Sequence, residues 1–155
     1  MQIRRAEEKD LNDINELLMQ VLNVHHAGRP DLFKPHAQKY YDDELIALIH
    51  NDQKPIFVYD NGQKVVGYAF CIFQQHLNDN ILTDIKTLYI DDLCVNENYR
   101  GQHIGSALYQ YVLQFAKESG CYNVTLNVWA LNTSAQKFYE ACGLVPQKIG
   151  MEKIL

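Results

Sequence analysis

Two adjacent carboxylates, Asp91 and Asp92, interrupt the apolar run YIDDLCV. An ionised carboxylate inside such a run is costly unless it is paired, hydrogen-bonded or used. A carboxylate can also take up a proton from a reacting group. In a regular strand the two side chains point to opposite faces. One alternative leaves one of them solvated and sets the other against a backbone group. The stretch NYRGQHIGS follows at once, residues 98–106. Gly101 and Gly105 let a bulky group approach the backbone there. Arg100 adds a fixed charge suited to phosphate, and Ser106 adds a hydroxyl. Where such a stretch opens a helix, the first N–H groups lack partners and the dipole is positive, which makes an anion site. A glycine turn before a helix is also often only a turn.

The elements that position these groups can be read from periodicity. After the loop, Ile104, Ala107, Leu108, Tyr111, Val112, Phe115 and Ala116 repeat with helical spacing, and Gly120 ends the helix. Before it, Thr83 to Val95 reads as a long strand. PIFVYDNGQKVVGYAFCIF is a hairpin around Asn61-Gly62. Residues 2–5 read as a short strand. Asp10 is placed to cap a helix with a stripe of Leu11, Ile14, Leu17, Leu18, Val21 and Leu22. The segment HHAGRPDLFKPH reads as a loop, and a second helix is expected from Ala37 to about His50. YNVTLNVW is a further strand. NTSAQKFYEACG is a short helix capped by Asn132 or Thr133, and LVPQKIGMEKIL reads as one or two final strands. This order gives a mixed α/β domain spanning residues 1–155.

Composition narrows the partners. A net charge of -5 argues against nucleic acid or an anionic membrane as the main partner, and is compatible with a cationic small molecule. No apolar run is long enough to span a bilayer, and MQIRRAEEKD holds no signal-peptide core, so a cytoplasmic protein is expected. The four cysteines are scattered singly and read as reduced thiols. The His25, His26 and His36 spacing matches no ligand pattern, so no metal is expected. The glycine stretch is neither a P-loop nor a dinucleotide-binding fingerprint.

The segment LCVNENYRGQHIGSALYQYVLQFAKESG closely resembles the acetyl-CoA-binding core of the GNAT N-acetyltransferases. That family's pattern runs Arg or Gln, two residues, Gly, one residue, then Gly or Ala. Here Arg100 and Gly105 match, while His103 replaces the first glycine. Backbone N–H groups do the binding, so His103 is expected to be tolerated with a negative φ. Downstream, LNVWALNTSAQKFYEACGL is similar to the family's second signature. The resemblance implies a central mixed, mostly antiparallel sheet with splayed central strands and about four flanking helices. It also implies acetyl-CoA as co-substrate. Leu93, Cys94 and Val95 would pair with its pantetheine, and Asn132 would reach that arm. The pyrophosphate would sit on Arg100, Gly101, Gln102, His103, Ile104, Gly105 and Ser106.

The same resemblance suggests roles at the reacting centre. Tyr139, in Phe138-Tyr139-Glu140, becomes the general acid, with a packing role as the alternative. Asp91 and Asp92 become candidate bases, as YIDDLCV is similar to the acidic segment of the polyamine-acetylating branch. A bulge, frequent in the family here, would turn both towards the substrate. His26, Arg29, Phe33, Tyr40 and Trp129 are expected around the acceptor, with Arg29 suited to a carboxylate on it. Three functions follow: acetylation of a small-molecule primary amine, acetylation of a protein or peptide amine, and silent acyl-CoA binding. A homodimer, paired through the tail strands, is compatible with the sequence.

Overall fold

Helix stripes and strand alternation sort the apolar residues onto the two faces of one sheet. The computed structural model describes residues 1–155. Its strands are β1 (Gln2–Arg5), β2 (Ile56–Asp60), β3 (Val65–Gln75), β4 (Lys86–Val95) and β5 (Asn123–Leu126). They lie in sequence order, antiparallel from β1 to β4, and β5 joins β4 in parallel. Four helices flank them: α1 (Leu11–Gly28), α2 (Asp42–Ile49), α3 (Ile104–Glu118) and α4 (Thr133–Ala141).

Strand β3 is buried on both faces from Val65 to Cys71. Its alternation divides the core. Tyr68 and Phe70 pack with Ile14, Leu17 and Leu18 of α1 and with Leu45 and Ile49 of α2. Ala69 and Cys71 pack with Tyr109, Val112 and Ala116 of α3. The face of α3 expected from its spacing is therefore largely the buried one. Leu17 is fully buried, and its truncation to Ala would cost about 2–5 kcal/mol. The hairpin turn forms where Asn61-Gly62 predicts it. Gly62 has φ +95°, and Asn61 Oδ1 accepts from the N–H groups of Gln63 and Lys64 at 2.9 Å each.

Some boundaries differ from the periodicity. Helix α2 begins at Asp42, not Ala37, because Pro35 and the positive φ of His36 hold the preceding chain out of the helix. Glu44 then accepts from the Tyr41 N–H at 2.9 Å and closes the start. Asp10 stands at the cap position of α1, but its side chain is used elsewhere. It accepts from Glu7 N–H at 2.9 Å and pairs with both terminal nitrogens of Arg4 at 2.8 and 2.9 Å. Strand β4 starts at Lys86 and β5 stops at Leu126. Residues 144–155 form no strand and pair with none, and Val145, Ile149, Met151 and Ile154 stand at least 75% exposed.

Candidate active site

The register of β3 with β4 shifts by one residue at the aspartates. Phe70 faces Asp92, and the next residue, Cys71, faces Ile90. Asp91 is the extra residue of a β-bulge. Ile90 stays on the α3 face with Cys71, while Asp92 joins Phe70 and Cys94 on the α1 face. Both carboxylates then meet the chain that precedes α2. Lys39 Nζ lies 3.5 Å from Asp91 Oδ2, and the charges of both aspartates act on Lys39 and on Tyr40.

Asp92 sits in the tighter setting. Tyr68, fully buried, donates its hydroxyl hydrogen to Asp92 Oδ2 at 2.6 Å. Burial raises the Asp92 carboxyl above its ordinary value. The Tyr68 bond and the Lys39 charge oppose that rise, and the Asp91 charge adds to it. On α4, the Tyr139 hydroxyl has no hydrogen-bond partner within the protein. Burial first, then the charge of Asp92, pushes its phenol well above the usual tyrosine range. It therefore keeps its proton at neutral pH. His25 of α1 also feels Asp92, but burial outweighs that attraction and lowers its pKa.

Aromatic side chains close one side. The His25 and Phe33 rings lie 4.9 Å apart, and Phe33 meets Trp129 edge-on at 5.6 Å. Tyr40 stacks on Phe70 at 6.0 Å. Two residues expected around the acceptor have partners in the chain itself. The Nδ1 of His26 lies 2.7 Å from the Phe33 carbonyl oxygen and pins the loop. Arg29 pairs with Asp31 at 2.9 Å and with Glu152 of the tail. A hollow lined by Tyr40, Glu44, Ala47, Leu48 and Asn51 opens beside α2, and neither Asp92 nor Tyr139 lines it. The carboxylates and the phenol mark the chemistry better than that concavity does.

The strands part next to these groups. The β4–β5 ladder ends at Ile90 and Leu126, and β4 runs on to Val95 against β3 alone. Asn96 N–H donates to the Val66 carbonyl at 2.8 Å, which fixes the antiparallel alternation. Asp92 and Cys94 therefore bond towards β3, while Leu93 and Val95 turn their N–H and C=O groups to the gap. An amide-bearing chain fits that edge as an added strand. The Cys94 thiol faces the Leu17 carbonyl at 3.8 Å and, pushed up to about 12 by burial, remains a thiol.

The glycine loop lies at the end of this gap. Gly101 has φ +79° and His103, at the cap of α3, has φ +61°. The expectation of a negative φ at His103 is corrected. A non-glycine residue in the left-handed region costs about 1–2 kcal/mol, which accounts for glycine at this place in the pattern. The N–H groups of His103, Ile104, Gly105 and Ser106 donate to no acceptor in the protein. Four free amides at a helix start suit a pyrophosphate. A Cβ on Gly105 would meet the Phe138 ring at 3.4 Å and Val95 at 3.6 Å, ordinary contact distances, so alanine would also fit here, in keeping with the Gly-or-Ala position of the pattern. Asn132 Oδ1 caps α4 through Ala135 N–H at 3.3 Å, while its amide nitrogen has no partner in the protein.

A family model for the acetyltransferase (GNAT) family matches residues 19–144. The chain belongs to the GNAT family. Among curated relatives, a glucosamine 6-phosphate N-acetyltransferase of Arabidopsis thaliana is 32% identical over 44% of this chain and 44% of its own length. A probable glucosamine 6-phosphate N-acetyltransferase of Drosophila melanogaster is 24% identical over 94% of this chain and 61% of its own. A thialysine N-epsilon-acetyltransferase of Bos taurus is 33% identical over 53% of this chain and 45% of its own. The GNAT chain thus spans at most 61% of the length of these three relatives. Among solved structures, a mutant of the BH1408 protein of Bacillus halodurans superposes with a TM-score of 0.95 at 28% identity, over 100% of this chain and 99% of that one. A soil-metagenome aminoglycoside acetyltransferase, solved with sisomicin, shares the fold at a TM-score of 0.74 and 21% identity, over 99% of this chain and 95% of its own. The five-stranded mixed sheet and its four helices are those of GNAT acetyltransferases.

Sequence reasoning about this GNAT chain missed Tyr68 and Lys39. Tyr68 had a usable signal: it is the one residue with a hydrogen-bonding side chain in the run VVGYAFC, apart from a thiol, and a buried phenol needs a partner. Lys39 had none, because its approach to Asp91 depends on the path of a loop.

Proposed function

We propose that this protein is an acetyl-CoA-dependent N-acetyltransferase acting on a primary amine of a small molecule. The observation that carries the reading is the β-bulge that sets Asp91 and Asp92 beside the gap between β4 and β5, with the Tyr139 phenol within reach of the Asp92 charge. One group is an acceptor of protons in a setting that raises its basicity. The other is a phenol kept protonated.

Acetyl transfer to an amine needs both. An alkylamine has a pKa of ~10.4, so presenting it neutral at pH 7 costs roughly 4–5 kcal/mol. Asp92, directly or through water, takes the amine proton, with Asp91 holding the incoming cation. The amine nitrogen bonds to the acetyl carbon, the carbon–sulfur bond breaks, and Tyr139 gives its proton to the leaving sulfur. Leu93 and Val95 bind the pantetheine amides through backbone, and Asn132 offers its free amide to the same arm. The amides of His103 to Ser106, with Arg100, Gly101 and Gln102, receive the pyrophosphate. Cys94 contributes its place in the strand rather than its thiol. Tyr40, Phe33 and Trp129 enclose the acceptor, and His26 and Arg29 hold the surrounding loop. The aromatic cover over Asp92 favours a small acceptor over an open groove for a peptide. A panel of primary amines incubated with acetyl-CoA, followed by thiol release, tests the reading. Tight CoA binding without turnover of any amine would leave a silent binding module instead.

The assembly belongs to the same proposal. Val145, Ile149 and Met151 are spaced in the tail as on one face of a strand and stand 81–93% exposed. Strand β5 has an unpaired outer edge. A second copy, laying its tail on that edge, would complete both.

A further inference from the structure

Nine ion pairs are present, and the one at the reacting centre joins Lys39 to Asp91. Lys39 Nζ lies 3.5 Å from Asp91 Oδ2 and 5.5 Å from the centre of the Tyr40 ring. A carboxylate beside an aromatic face is the usual receptor for an alkylammonium ion. Partial burial works against the charge of Lys39. The negative potential of Tyr40, Asp91 and Asp92 outweighs it and holds the side chain firmly as an ammonium. Lys39 also lies near the end of a segment of 13 residues, 29–41, that belongs to no helix or strand, and its side chain is 42% exposed. It can leave the carboxylates without unfolding an element.

A primary amine acceptor arrives as the same chemical species. Its nitrogen must come within reach of Asp92, and the adjoining carboxylate, Asp91, already holds a cation. We infer that Lys39 occupies the subsite for the acceptor's ammonium group and withdraws when an alkylamine acceptor binds, so that it sets acceptor affinity by competition. The inference rests on the N-acetyltransferase reading and adds a residue that governs specificity. Exposed pairs of this kind are weak, so the competition is soft and reversible. It disfavours acceptors with one weakly held ammonium. An acceptor with a second cationic group can satisfy both aspartates as Lys39 leaves.

Steady-state kinetics of the Lys39→Met and Lys39→Arg variants test this, with a straight-chain primary diamine and acetyl-CoA as the varied substrates. Lys39→Met is expected to lower the KM for the diamine about fivefold, which corresponds to ~1 kcal/mol. The KM for acetyl-CoA should not move, and kcat should change less than the diamine KM. Lys39→Arg, which keeps the charge, should retain a wild-type KM. An unchanged diamine KM in Lys39→Met would overturn the inference, and a raised one would make Lys39 a binder of the acceptor instead. If the wild-type protein turns over no amine, the N-acetyltransferase reading fails. Lys39 is then tested by binding alone, with Trp129 the sole tryptophan and so the fluorescent reporter. Tighter diamine binding by Lys39→Met supports the competition, and equal or weaker binding overturns it.

Discussion

Tyr68, sealed from solvent on β3, donates its hydroxyl hydrogen to Asp92 on β4 at 2.6 Å. The bond occupies one carboxylate oxygen and leaves the other free for the proposed proton transfer. It also favours the ionised form of Asp92 against the burial that disfavours it. Other charged or titratable groups also face Asp92: His25 on α1, Lys39 and Tyr40 before α2, Asp91 and Cys94 on β4, and Tyr139 on α4. Replacing Tyr68 by Phe keeps the ring and removes the donor. A hydrogen bond to a charged group contributes ~1.5–3 kcal/mol, so the pKa of Asp92 should rise by about one unit or more. The acidic limb of kcat/KM should move to higher pH by that amount while the protein stays folded. An unmoved limb would remove Asp92 from the proton transfer.

In the proposed mechanism Asp92 also links activity to stability. Its folded-state pKa is raised, chiefly by burial. A group of that kind contributes stability below its unfolded pKa and loses it as pH rises through the folded value. At pH 7 the ionised Asp92 is therefore a cost. Asp92→Asn should melt at an equal or higher temperature than the wild type at pH 7, with the difference closing below about pH 4. Calorimetry across that range checks the sign, and a less stable variant at pH 7 would contradict it.

The Tyr139 hydroxyl makes no hydrogen bond in the protein, so it contributes little to the fold. Tyr139→Phe should leave the melting temperature within a few degrees and reduce kcat by about 100-fold or more, the usual weight of a proton-transfer group. A rate within about twofold of wild type would return Tyr139 to a packing role.

His103 carries a left-handed backbone at the start of α3. His103→Gly relieves that conformation and should stabilise the protein by up to ~1 kcal/mol, less the extra freedom glycine gives the unfolded chain. Affinity for acetyl-CoA should change less than about tenfold, because the backbone N–H remains. A larger loss, measured by calorimetric titration, would show that the imidazole itself binds.

These cases mark what a single sequence discloses. The helical stripe of α3, the Asn61-Gly62 turn and the strangeness of Asp91-Asp92 are local, and local patterns were enough to find them. The bulge is a property of two strands in register: the family resemblance leads to expecting it, and Phe70 opposite Asp92, followed by Cys71 opposite Ile90, shows it. The positive φ of His103 is invisible in residue type. The tail has the alternation of a strand, yet a strand needs a partner, and within its own chain the tail pairs with none. Light scattering should therefore find a dimer at micromolar concentration, and Ile149→Asp should convert it to monomer. A monomeric wild type would leave the tail unexplained.

The central claim is that Asp92 accepts the proton of an amine acetylated from acetyl-CoA. Thiol release with a primary alkylamine, compared between wild type and Asp92→Asn, addresses it most directly. The account predicts turnover by the wild type and a loss of about 100-fold or more in Asp92→Asn, with acetyl-CoA affinity retained. Equal rates in the two proteins would contradict it.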